Sequence, residues 1–333
     1  MKCLILAAGE GKRMHPLTFT RPKVMLPIIN KPVLELNLLN LIDAGIKDFI
    51  FVVGYKSEMV RDYFKNGSKW NVNISYINQG NPIGTGHAVK IVESFIDKDF
   101  IVLCGDTVFR KKDIKKILSK KNSMGLFKVK NPEKYGVVET KKDNVLRIYE
   151  KMKNPFSDMI NAGVYHFDKN IFKYIKKIKK SPRGEYELTD AINLMAKEVS
   201  IKSIVLDYWK DLVYPWDLFS LNKEYLSEIK KENRGTVEKN ATIKGNVVIG
   251  KNSKVINGSC IEGPCIIGDN CKIGPNCYIR PFTSIGDNCH VGNACEVKNS
   301  IIFDNSNVPH HNYVGDSVIG SNCNLGSGCK VAN

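Results

Sequence analysis

The first long loop of the chain carries the side chains best suited to chemistry on phosphate groups. Its sequence, AAGEGKRMHPLTFTRPK, follows directly after a short apolar run. The small residues Ala8, Gly9 and Gly11 let the backbone approach a ligand without a Cβ in the way. Arg13 and Lys23 are fixed cations of the kind that bind phosphate oxygens. This combination predicts a loop that wraps a nucleoside triphosphate.

Two other phosphate-binding loops fit this segment poorly. A dinucleotide-binding loop needs a third glycine and an immediate helix, whereas Arg13 takes that position and helical periodicity starts only near Pro32. A Walker-type loop needs a Gly-Lys-Ser/Thr sequence, and the segment contains none. An ordinary glycine-rich turn between a strand and a helix stays open as the alternative.

Two carboxylates are candidates for a magnesium site. Asp106 follows a glycine at the end of an apolar run, and Asp217 stands far along the chain in the sequence YPWD. Mg²⁺ keeps several waters and needs few protein oxygens, so one or two carboxylates suffice. Each aspartate taken alone is also typical of a helix N-cap.

The polar segment QGNPIGTGHA, after another apolar run, is suited to reading a base. The amide of Gln79 can match both the donor and the acceptor on the edge of a pyrimidine. Gly84 and Thr85 open a helix whose free N–H groups favour anions or carbonyl oxygens. A capped helix start without a ligand is the alternative.

Alternating strand-like and helical patterns in the first two thirds of the chain must position these residues. Apolar runs of strand length cover residues 49–53, 72–77 and 100–103, and amphipathic segments cover 33–44, 57–65, 85–96 and 112–120. Such alternation predicts an α/β domain with a doubly wound, mostly parallel sheet. Ligands then bind at the carboxyl ends of the strands, where the candidate residues stand.

A different period begins after residue 235. Aliphatic residues recur every six positions at Ile243, Ile249, Val255, Ile261, Ile267, Ile273, Ile279, Ile285, Val291 and Val297, and then with two shifts to Val331. A hexapeptide repeat of this kind builds a parallel β-helix with the aliphatic residue inside. Seven cysteines fall on the small corner position: Cys265, Cys271, Cys277, Cys289, Cys295, Cys323 and Cys329. They lack the paired Cys-x-x-Cys of a zinc site, so we expect buried thiols that pack the corners.

Composition limits the range of functions. The chain has 333 residues and a net charge of +16, with lysines spread over helical faces. A solvated surface explains this charge better than nucleic-acid binding, because no aromatic and basic module accompanies it. The sequence shows no signal peptide and no apolar stretch of bilayer length. We therefore expect a cytoplasmic protein with no nucleic-acid and no membrane partner.

The loop sequence resembles the signature of the sugar-1-phosphate nucleotidylyltransferases, which join a nucleoside triphosphate to a sugar 1-phosphate and release pyrophosphate. The pattern A-A-G-x-G-x-R-M-x-P-L-T, followed by P-K-x-x-x-P-x-x-x-K-P, matches without a gap. The resemblance implies a Rossmann-like nucleotidyltransferase domain with Mg²⁺ on Asp106 and Asp217. Arg13 and Lys23 would be catalytic, and the nucleotide contacts would be Ala8, Gly9, Gly11, Gln79, Gly84 and Thr85. Its sugar site falls on Gly136, Glu150, Lys151 and Asn161, with Lys151 on the phosphate.

The repeat domain resembles the acetyltransferase half of the bifunctional enzymes that make UDP-N-acetylglucosamine, in an archaeal-type version. Polar residues interrupt the repeat at the sequence PHHNYVGD. Alignment on its Tyr-x-Gly-Asp makes His310 the general base for a sugar amine. The acetyl-acceptor positions fall on Arg280, Lys298, Tyr313 and Asn324. The resemblance implies a left-handed parallel β-helix and a homotrimer.

The predicted β-helix is shorter than in that family. The coils that carry acetyl-coenzyme A in the family would follow Asn333, so we expect acetyl transfer to be weak or lost. The expected organisation is a nucleotidylyltransferase domain over residues 1–216, a linker helix over 217–235 and an incomplete acetyltransferase-like β-helix over 236–333.

The identity of the substrates is left open by the sequence. UTP with N-acetylglucosamine 1-phosphate is favoured, because the repeat domain resembles enzymes of glucosamine derivatives. A glucose-1-phosphate thymidylyltransferase or uridylyltransferase, using dTTP or UTP, stays open. A non-catalytic assembly subunit with the same two folds is the alternative of another class, although such subunits tend to lose residues like Arg13, Lys23 and Asp106.

Overall fold

The computed structural model describes residues 1–332 as two compact units. The first unit comprises Met1–Lys12, Thr18–Met25 and Val33–Asp211. The second comprises Arg13–Leu17, Leu26–Pro32 and the chain from Leu212 onward. Pieces of the phosphate-binding loop therefore belong to different units. The domain boundaries drawn from the sequence stay predictions, and Asn333, the last residue of the predicted repeat domain, lies outside the described residues.

The strands that precede the repeat are mostly short and apolar. They are Lys2–Ala7 (β1), Pro27–Ile28 (β2), Lys31–Pro32 (β3), Asp48–Val53 (β4), Asn73–Asn78 (β5), Phe100–Cys104 (β6), Thr107–Val108 (β7), Ser123–Lys128 (β8), Gly136–Lys141 (β9), Asn144–Glu150 (β10), Met159–Phe167 (β11), Lys202–Val205 (β12) and Lys210–Asp211 (β13). Nine of them form the central sheet of the first unit, in the order β5-β4-β1-β6-β11-β8-β12-β10-β9.

Strand β1 lies in the parallel half of this sheet, between β4 and β6. Its neighbouring residues Leu4 and Ile5 are both fully buried but belong to different apolar clusters. Successive side chains of a strand point to opposite faces, so both faces of the sheet are covered. The continuous apolar run at the start of the chain follows from that double burial.

The other half of the sheet is mixed. Strand β11 pairs antiparallel with both β6 and β8, β12 pairs parallel with β8 and antiparallel with β10, and β9 and β10 form an antiparallel hairpin. The expectation of a mostly parallel sheet is therefore correct for the β5-β4-β1-β6 half and for the β8–β12 pair, and not for the sheet as a whole. The connection from Lys141 to Asn144 is too short for the crossover that parallel neighbours need, which makes a hairpin the available solution.

Seven α-helices and six short 3₁₀ turns occur within residues 1–332. The helices are Val33–Asp43 (α1), Ser57–Phe64 (α2), Thr85–Lys90 (α3), Lys111–Leu118 (α4), Ile171–Ile175 (α5), Leu188–Met195 (α6) and Asp217–Ser227 (α7). The 3₁₀ turns are Lys12–Met14, Leu17–Phe19, Lys23–Met25, Ser68–Trp70, Glu93–Phe95 and Pro132–Lys134. The amphipathic segment 85–96 is thus a short helix plus a turn. None of these helices is long and apolar enough to cross a bilayer.

The repeat in the second unit folds into three parallel sheets, which form the three sides of the β-helix. Side one contains Glu232–Asn233 (β14), Val247–Ile249 (β17), Cys265–Ile267 (β20), Thr283–Ile285 (β23), Ile301–Ile302 (β26) and Val318–Ile319 (β29). Side two contains Thr236–Val237 (β15), Lys254–Val255 (β18), Lys272–Ile273 (β21), His290–Asn293 (β24) and Asn307–His310 (β27). Side three contains Thr242–Lys244 (β16), Cys260–Glu262 (β19), Tyr278–Ile279 (β22), Glu296–Lys298 (β25), Tyr313–Gly315 (β28) and Lys330–Val331 (β30). The predicted fold class, a Rossmann-like α/β domain followed by a left-handed parallel β-helix, is confirmed.

Hydrogen bonds between coils explain why small polar or thiol side chains occupy the corners. The Cys271 thiol donates to the carbonyl oxygen of Gly286 at 3.0 Å, just as the Ser253 hydroxyl donates to Gly268 at 2.6 Å one coil earlier. Cysteine and serine therefore serve the same purpose, satisfying a carbonyl of the next coil. Burial raises the pKa of the Cys277 thiol to about 11, as expected for a packing group. All ten cysteines are free. Cys323 and Cys329 are only half-buried.

Asn222 on α7 is the main polar anchor inside the second unit. Its Oδ1 accepts hydrogen bonds from the Ile29 N–H at 3.1 Å and the Ser284 hydroxyl at 2.7 Å, and its Nδ2 donates to the Phe282 carbonyl at 3.3 Å. The side chain is almost fully buried. Three otherwise unpaired polar groups are satisfied by this single amide.

Replacing Asn222 with Leu should destabilise the second unit. The three partners would lose their hydrogen bonds in a buried place, at a cost of about 2–4 kcal/mol. Urea unfolding followed by circular dichroism measures this change. The exposed Ser227→Ala on the same helix is the control and should stay within about 0.5 kcal/mol of the wild type. Equal unfolding midpoints for the two variants would contradict the role of Asn222.

Candidate functional site

One glycine of the first loop, Gly11, is required by the close approach of a lysine. Gly11 has a φ of +75°, a conformation that L side chains rarely adopt, and a Cβ built there would lie 2.7 Å from the Cβ of Lys23. Any larger residue would therefore displace Lys23. The Thr18 hydroxyl fixes the same turn by donating to the Gly11 carbonyl at 3.0 Å. Ala8 is held from the other side, since its carbonyl accepts the Tyr55 N–H at 3.1 Å.

Lys23 reaches two carboxylates inside the first unit. Its Nζ lies 2.7 Å from Oδ2 of Asp106 and 3.9 Å from Oδ1 of Asp211. The lysine side chain is only 9% exposed, and a buried ammonium is tolerated only when opposite charge surrounds it. Asp106 follows β6, and Asp211 ends β13, which pairs with β7 immediately after Asp106.

Asp211 is a site residue that the sequence did not reveal. It sits in the sequence YWKDLVYPWD, six residues before the predicted ligand Asp217. Only the pairing of Asp211 with Thr107 brings it to Lys23, and such a non-local pairing has no signature in one sequence. The available signal was an acid at the end of a short strand-like run.

Arg13 and Asp217 both lie in the second unit. One oxygen of Asp217, Oδ2, accepts the N–H groups of Val213 and Tyr214 at 2.8 and 2.7 Å. The Arg13 guanidinium lies 5.8 Å from the centre of the Tyr214 ring, and that ring stacks on Trp216 at 4.7 Å. Asp217 is the first residue of α7, and its carboxylate binds the segment before the helix, while no side chain in the described part of the chain caps the N–H groups of the first turn. The N-cap role that its sequence context allowed is therefore not observed, and its role as a metal ligand stays a prediction.

The three predicted base contacts lie together in the first unit. Gln79, only 7% exposed, donates from Nε2 to the Gly84 carbonyl at 3.0 Å. Gly84 has a φ of +114°, and a Cβ there would lie 2.4 Å from the carbonyl oxygen of Tyr186. The Thr85 hydroxyl oxygen accepts the Leu188 N–H at 3.1 Å. The sequence GEYELTD, for which no role was predicted, therefore packs behind the loop that carries the predicted base contacts.

The predicted sugar-side residues come from three neighbouring strands. Gly136 and Glu150 pair directly across β9 and β10, and a Cβ on Gly136 would lie 3.2 Å from Oε1 of Glu150. Lys151 follows with a φ of +49°. Asn161 on β11 donates from Nδ2 to the Tyr165 hydroxyl at 2.7 Å and accepts the Gly163 N–H at 3.1 Å. These bonds fix the orientation of the Asn161 amide.

Arg183 is a second site residue that the sequence did not reveal. Its Nη2 lies 2.7 Å from Oε1 of Glu187 and 3.9 Å from Oε2 of Glu150. Burial raises the pKa of Glu150, and Glu187 adds to that effect, whereas Arg183 and Lys151 oppose it. A carboxylate held in this balance can accept hydrogen bonds from sugar hydroxyls while its charge stays compensated.

In the β-helix, three of the predicted acetyl-acceptor residues share one side. Arg280, Lys298 and Tyr313 belong to side three, where Arg280 pairs with Glu296 and Lys298 with Asp316, both at 2.9 Å. The Asp316 carboxylate raises the pKa of Lys298. His310 and Asn324 lie instead along side two, where Asn324 bridges to Asn307. The side chain of His310 is exposed.

A metal ion in this structure would have to bind at a site with only one or two carboxylates. Among residues 1–332, no group of three or more His, Cys, Asp or Glu side chains is arranged to hold a metal ion. A site with two carboxylates, such as Asp106 and Asp211, suits an ion that keeps much of its water shell, as Mg²⁺ does. A zinc-type site is not present in this part of the chain.

Comparison with known proteins identifies the family of the chain. Residues 2–228 match the family model described as Nucleotidyl transferase, and residues 261–333 match the GMPPB C-terminal domain. The chain is 44% identical to "Bifunctional protein GlmU" of Methanocaldococcus jannaschii over 96% of its own length and 77% of the relative's. It is 42% identical to "Bifunctional sugar-1-phosphate nucleotidylyltransferase/acetyltransferase" of Sulfurisphaera tokodaii, over all of this chain and 82% of that one.

One solved structure has a fold similar to that of about two thirds of the chain. A UDP-glucose pyrophosphorylase complexed with UDP-glucose superposes with a TM-score of 0.62 and 25% sequence identity. The match covers 68% of this chain and 98% of the other.

The pKa of Glu150 predicts how stability depends on pH. Because the folded pKa is raised, the Glu150 contribution to stability is complete below the unfolded pKa and is lost as the pH rises through the folded pKa. Glu150→Gln removes a charge that the folded protein disfavours, but the side chain is 33% exposed, so its thermal midpoint should exceed the wild-type value by only about 1–2 °C at pH 8 and match it near pH 4. Calorimetry at both pH values tests this. The exposed Glu133→Gln should change neither midpoint, and a Glu150→Gln variant that behaves in the same way would refute the prediction.

Proposed function

The chain belongs to the nucleotidyl transferase family, among the archaeal bifunctional GlmU proteins, and we propose that its sugar-1-phosphate nucleotidylyl transfer uses UTP or dTTP. N-acetylglucosamine 1-phosphate is the preferred acceptor in this proposal, and glucose 1-phosphate is the alternative. The observation that supports nucleotidyl transfer is the cluster of Lys23, Asp106 and Asp211 beside the Gly11 turn. A cluster of this kind can hold the phosphates of a nucleotide while balancing their charge.

The reaction depends on alignment and on charge compensation. An oxygen of the sugar phosphate forms a bond to the α-phosphorus of the triphosphate, and the bond from that phosphorus to the pyrophosphate oxygen breaks. At Gly9 no atom of the described residues, its chain neighbours aside, lies within 4 Å of a Cβ built there, so the backbone is open enough to lie along the phosphates, and Ala8 and Gly11 on either side are the other proposed nucleotide contacts. The Lys23 ammonium, held in place by its carboxylates, can stabilise the negative charge that develops there. We assign the same electrostatic role to Arg13.

The carboxylates at Lys23 fit a bound Mg²⁺ ion. Asp106 and Asp211 both direct an oxygen at the same cationic nitrogen, so a second cation brought by the nucleotide would find oxygen ligands there. We propose that these two aspartates hold Mg²⁺, with Asp217 as the competing candidate for the second ligand. When bound, the ion neutralises charge on the triphosphate.

The two substrate pockets are assigned to different loops of the first unit. Gln79, Gly84 and Thr85 are proposed to contact the base, and the buried position of the Gln79 amide supports this role. Gly136, Glu150 and Asn161 are proposed to bind sugar hydroxyls, and Lys151 the phosphate. The fixed Asn161 amide and the Glu150 carboxylate support that role, since both can accept hydroxyl hydrogens.

A weak second activity, acetyl transfer from acetyl-coenzyme A to an amino sugar phosphate, is the proposal for the β-helix. The exposure of His310 favours it, because a general base must reach a substrate amine. The cations Arg280 and Lys298 could hold the acceptor's phosphate, although each is now paired with a carboxylate. The assembly proposed with it is a homotrimer formed through the β-helix.

Pyrophosphate release over a panel of substrates tests the first activity. We expect turnover with UTP or dTTP and at least one of N-acetylglucosamine, glucosamine or glucose 1-phosphate, and no comparable turnover with ATP or GTP. The purine nucleotides are disfavoured because the proposed base contact is a single amide suited to a pyrimidine edge. Equal use of all four triphosphates would refute the base assignment, and an absence of any release would refute the activity.

Asparagine variants of the three aspartates identify the metal carboxylates. Asp106→Asn and Asp211→Asn should each lower Mg²⁺-dependent turnover on the order of 100-fold, because each removes a preorganised charge. Asp217→Asn should lose far less, since its amide oxygen can still accept the Val213 and Tyr214 N–H groups of the segment before α7. Folding of all three is checked by circular dichroism. Normal turnover of Asp211→Asn together with inactive Asp217→Asn would move the metal site to Asp217.

A further inference from the structure

The orientation of the Gln79 amide is determined by its surroundings. Nε2 donates one hydrogen to the Gly84 carbonyl at 3.0 Å and faces Nδ1 of His87 at 3.4 Å. A reversed amide would place Oε1 against the Gly84 carbonyl oxygen, which brings two acceptors together without a hydrogen between them. The amide nitrogen therefore points toward the protein, and within residues 1–332 no hydrogen bond to Oε1 is found.

His87 completes this arrangement from the first turn of α3. A neutral imidazole that carries its proton on Nε2 has a lone pair on Nδ1, and that lone pair can accept the second amide hydrogen of Gln79. Both hydrogens of the amide are then used inside the protein. Oε1 becomes the only group of Gln79 that a base can meet.

An amide that offers only an acceptor distinguishes between pyrimidines. Uracil and thymine carry a hydrogen on N3 and can donate it to Oε1. Cytosine has a lone pair on N3, so it would place an acceptor against Oε1, and a buried pair of acceptors is costly. The C5 methyl group, by which thymine differs from uracil, does not enter this contact.

From this geometry we propose that His87 is a positioning residue that sets base specificity, by holding the Gln79 amide so that it accepts N3–H of uracil or thymine and rejects cytosine. The proposal rests on the proposed nucleotidyl transfer and on Gln79 as its base contact. His87 itself does not touch the base. Its effect is confined to the choice between bases with and without N3–H.

The charges around His87 favour the neutral imidazole that the proposal requires. His87 lines a cavity of about 350 Å³ together with Lys90, Lys176 and Tyr186. Lys176 is paired with Glu93 at 2.6 Å, and the Lys180 ammonium lies over the Tyr186 ring. Burial, and then Lys90, lower the pKa of His87. Acidification would place a hydrogen on Nδ1 facing the amide hydrogens, so selectivity should weaken at low pH.

Two substitutions separate the hydrogen bond from the packing. His87→Leu keeps a side chain of similar size but has no acceptor, whereas His87→Asn places an amide oxygen where Nδ1 stood. The measured quantity is the ratio of kcat/KM for UTP to kcat/KM for CTP, with a saturating sugar 1-phosphate. We expect this ratio to fall about tenfold in His87→Leu and to stay near the wild-type value in His87→Asn. As the pH is lowered from 7.5 to below the ordinary pKa of histidine, the ratio should fall in the wild type and stay constant in His87→Asn.

Each alternative outcome contradicts either the positioning role of His87 or the proposed nucleotidyl transfer. A ratio in His87→Leu within twofold of the wild type, or an equal loss in His87→Asn, would overturn the positioning role and leave only packing. A wild-type protein that uses CTP as well as UTP would overturn it as well. If the wild type turns over no triphosphate, the proposed function fails instead. In that case, calorimetric binding of UTP and CTP to the three proteins measures the same ratio without turnover.

Discussion

The organisation of the first unit depends on one buried ammonium group. Lys23 is almost fully shielded from water, so its charge requires the Asp106 carboxylate at 2.7 Å and the Asp211 carboxylate at 3.9 Å. Those acids come from segments more than 100 residues apart, and the pairing of β13 with β7 brings them together. The glycine at position 11 follows from the same constraint, because the lysine stem occupies the space of its missing side chain.

The loop at Gly84 also packs directly against the backbone of another segment of the first unit. The base-reading loop at Gly84 packs against the backbone of Tyr186 so closely that no Cβ fits. The same stretch carries Glu187, which is paired with Arg183 close to the Glu150 carboxylate. One short segment, GEYELTD, thus packs behind the proposed base contacts and also takes part in the charge balance at the proposed sugar contacts.

Local patterns were sufficient to predict much of the fold and part of the site. The six-residue period specified the β-helix because each repeat is a local unit, and the buried strands β1, β4 and β6 follow from continuous apolar runs. The antiparallel β11 was missed, since strand order is decided by packing between distant segments. Asp211 and Arg183 were missed for the same reason: each is recognisable only through partners distant in sequence. Asp217 shows the converse, because its partners Val213 and Tyr214 are local, although its carboxylate binds the segment before α7 and does not cap the helix.

The most direct measurement of the metal and nucleotide site is a crystal structure grown with Mn²⁺ and a UDP-sugar, in which the anomalous signal locates the ion independently of the protein. The proposed arrangement requires a peak bound by the carboxylates of Asp106 and Asp211, with the diphosphate of the nucleotide sugar beside Lys23. A peak bound by Asp217 without Asp211, or a diphosphate remote from the Gly11 turn, would contradict it.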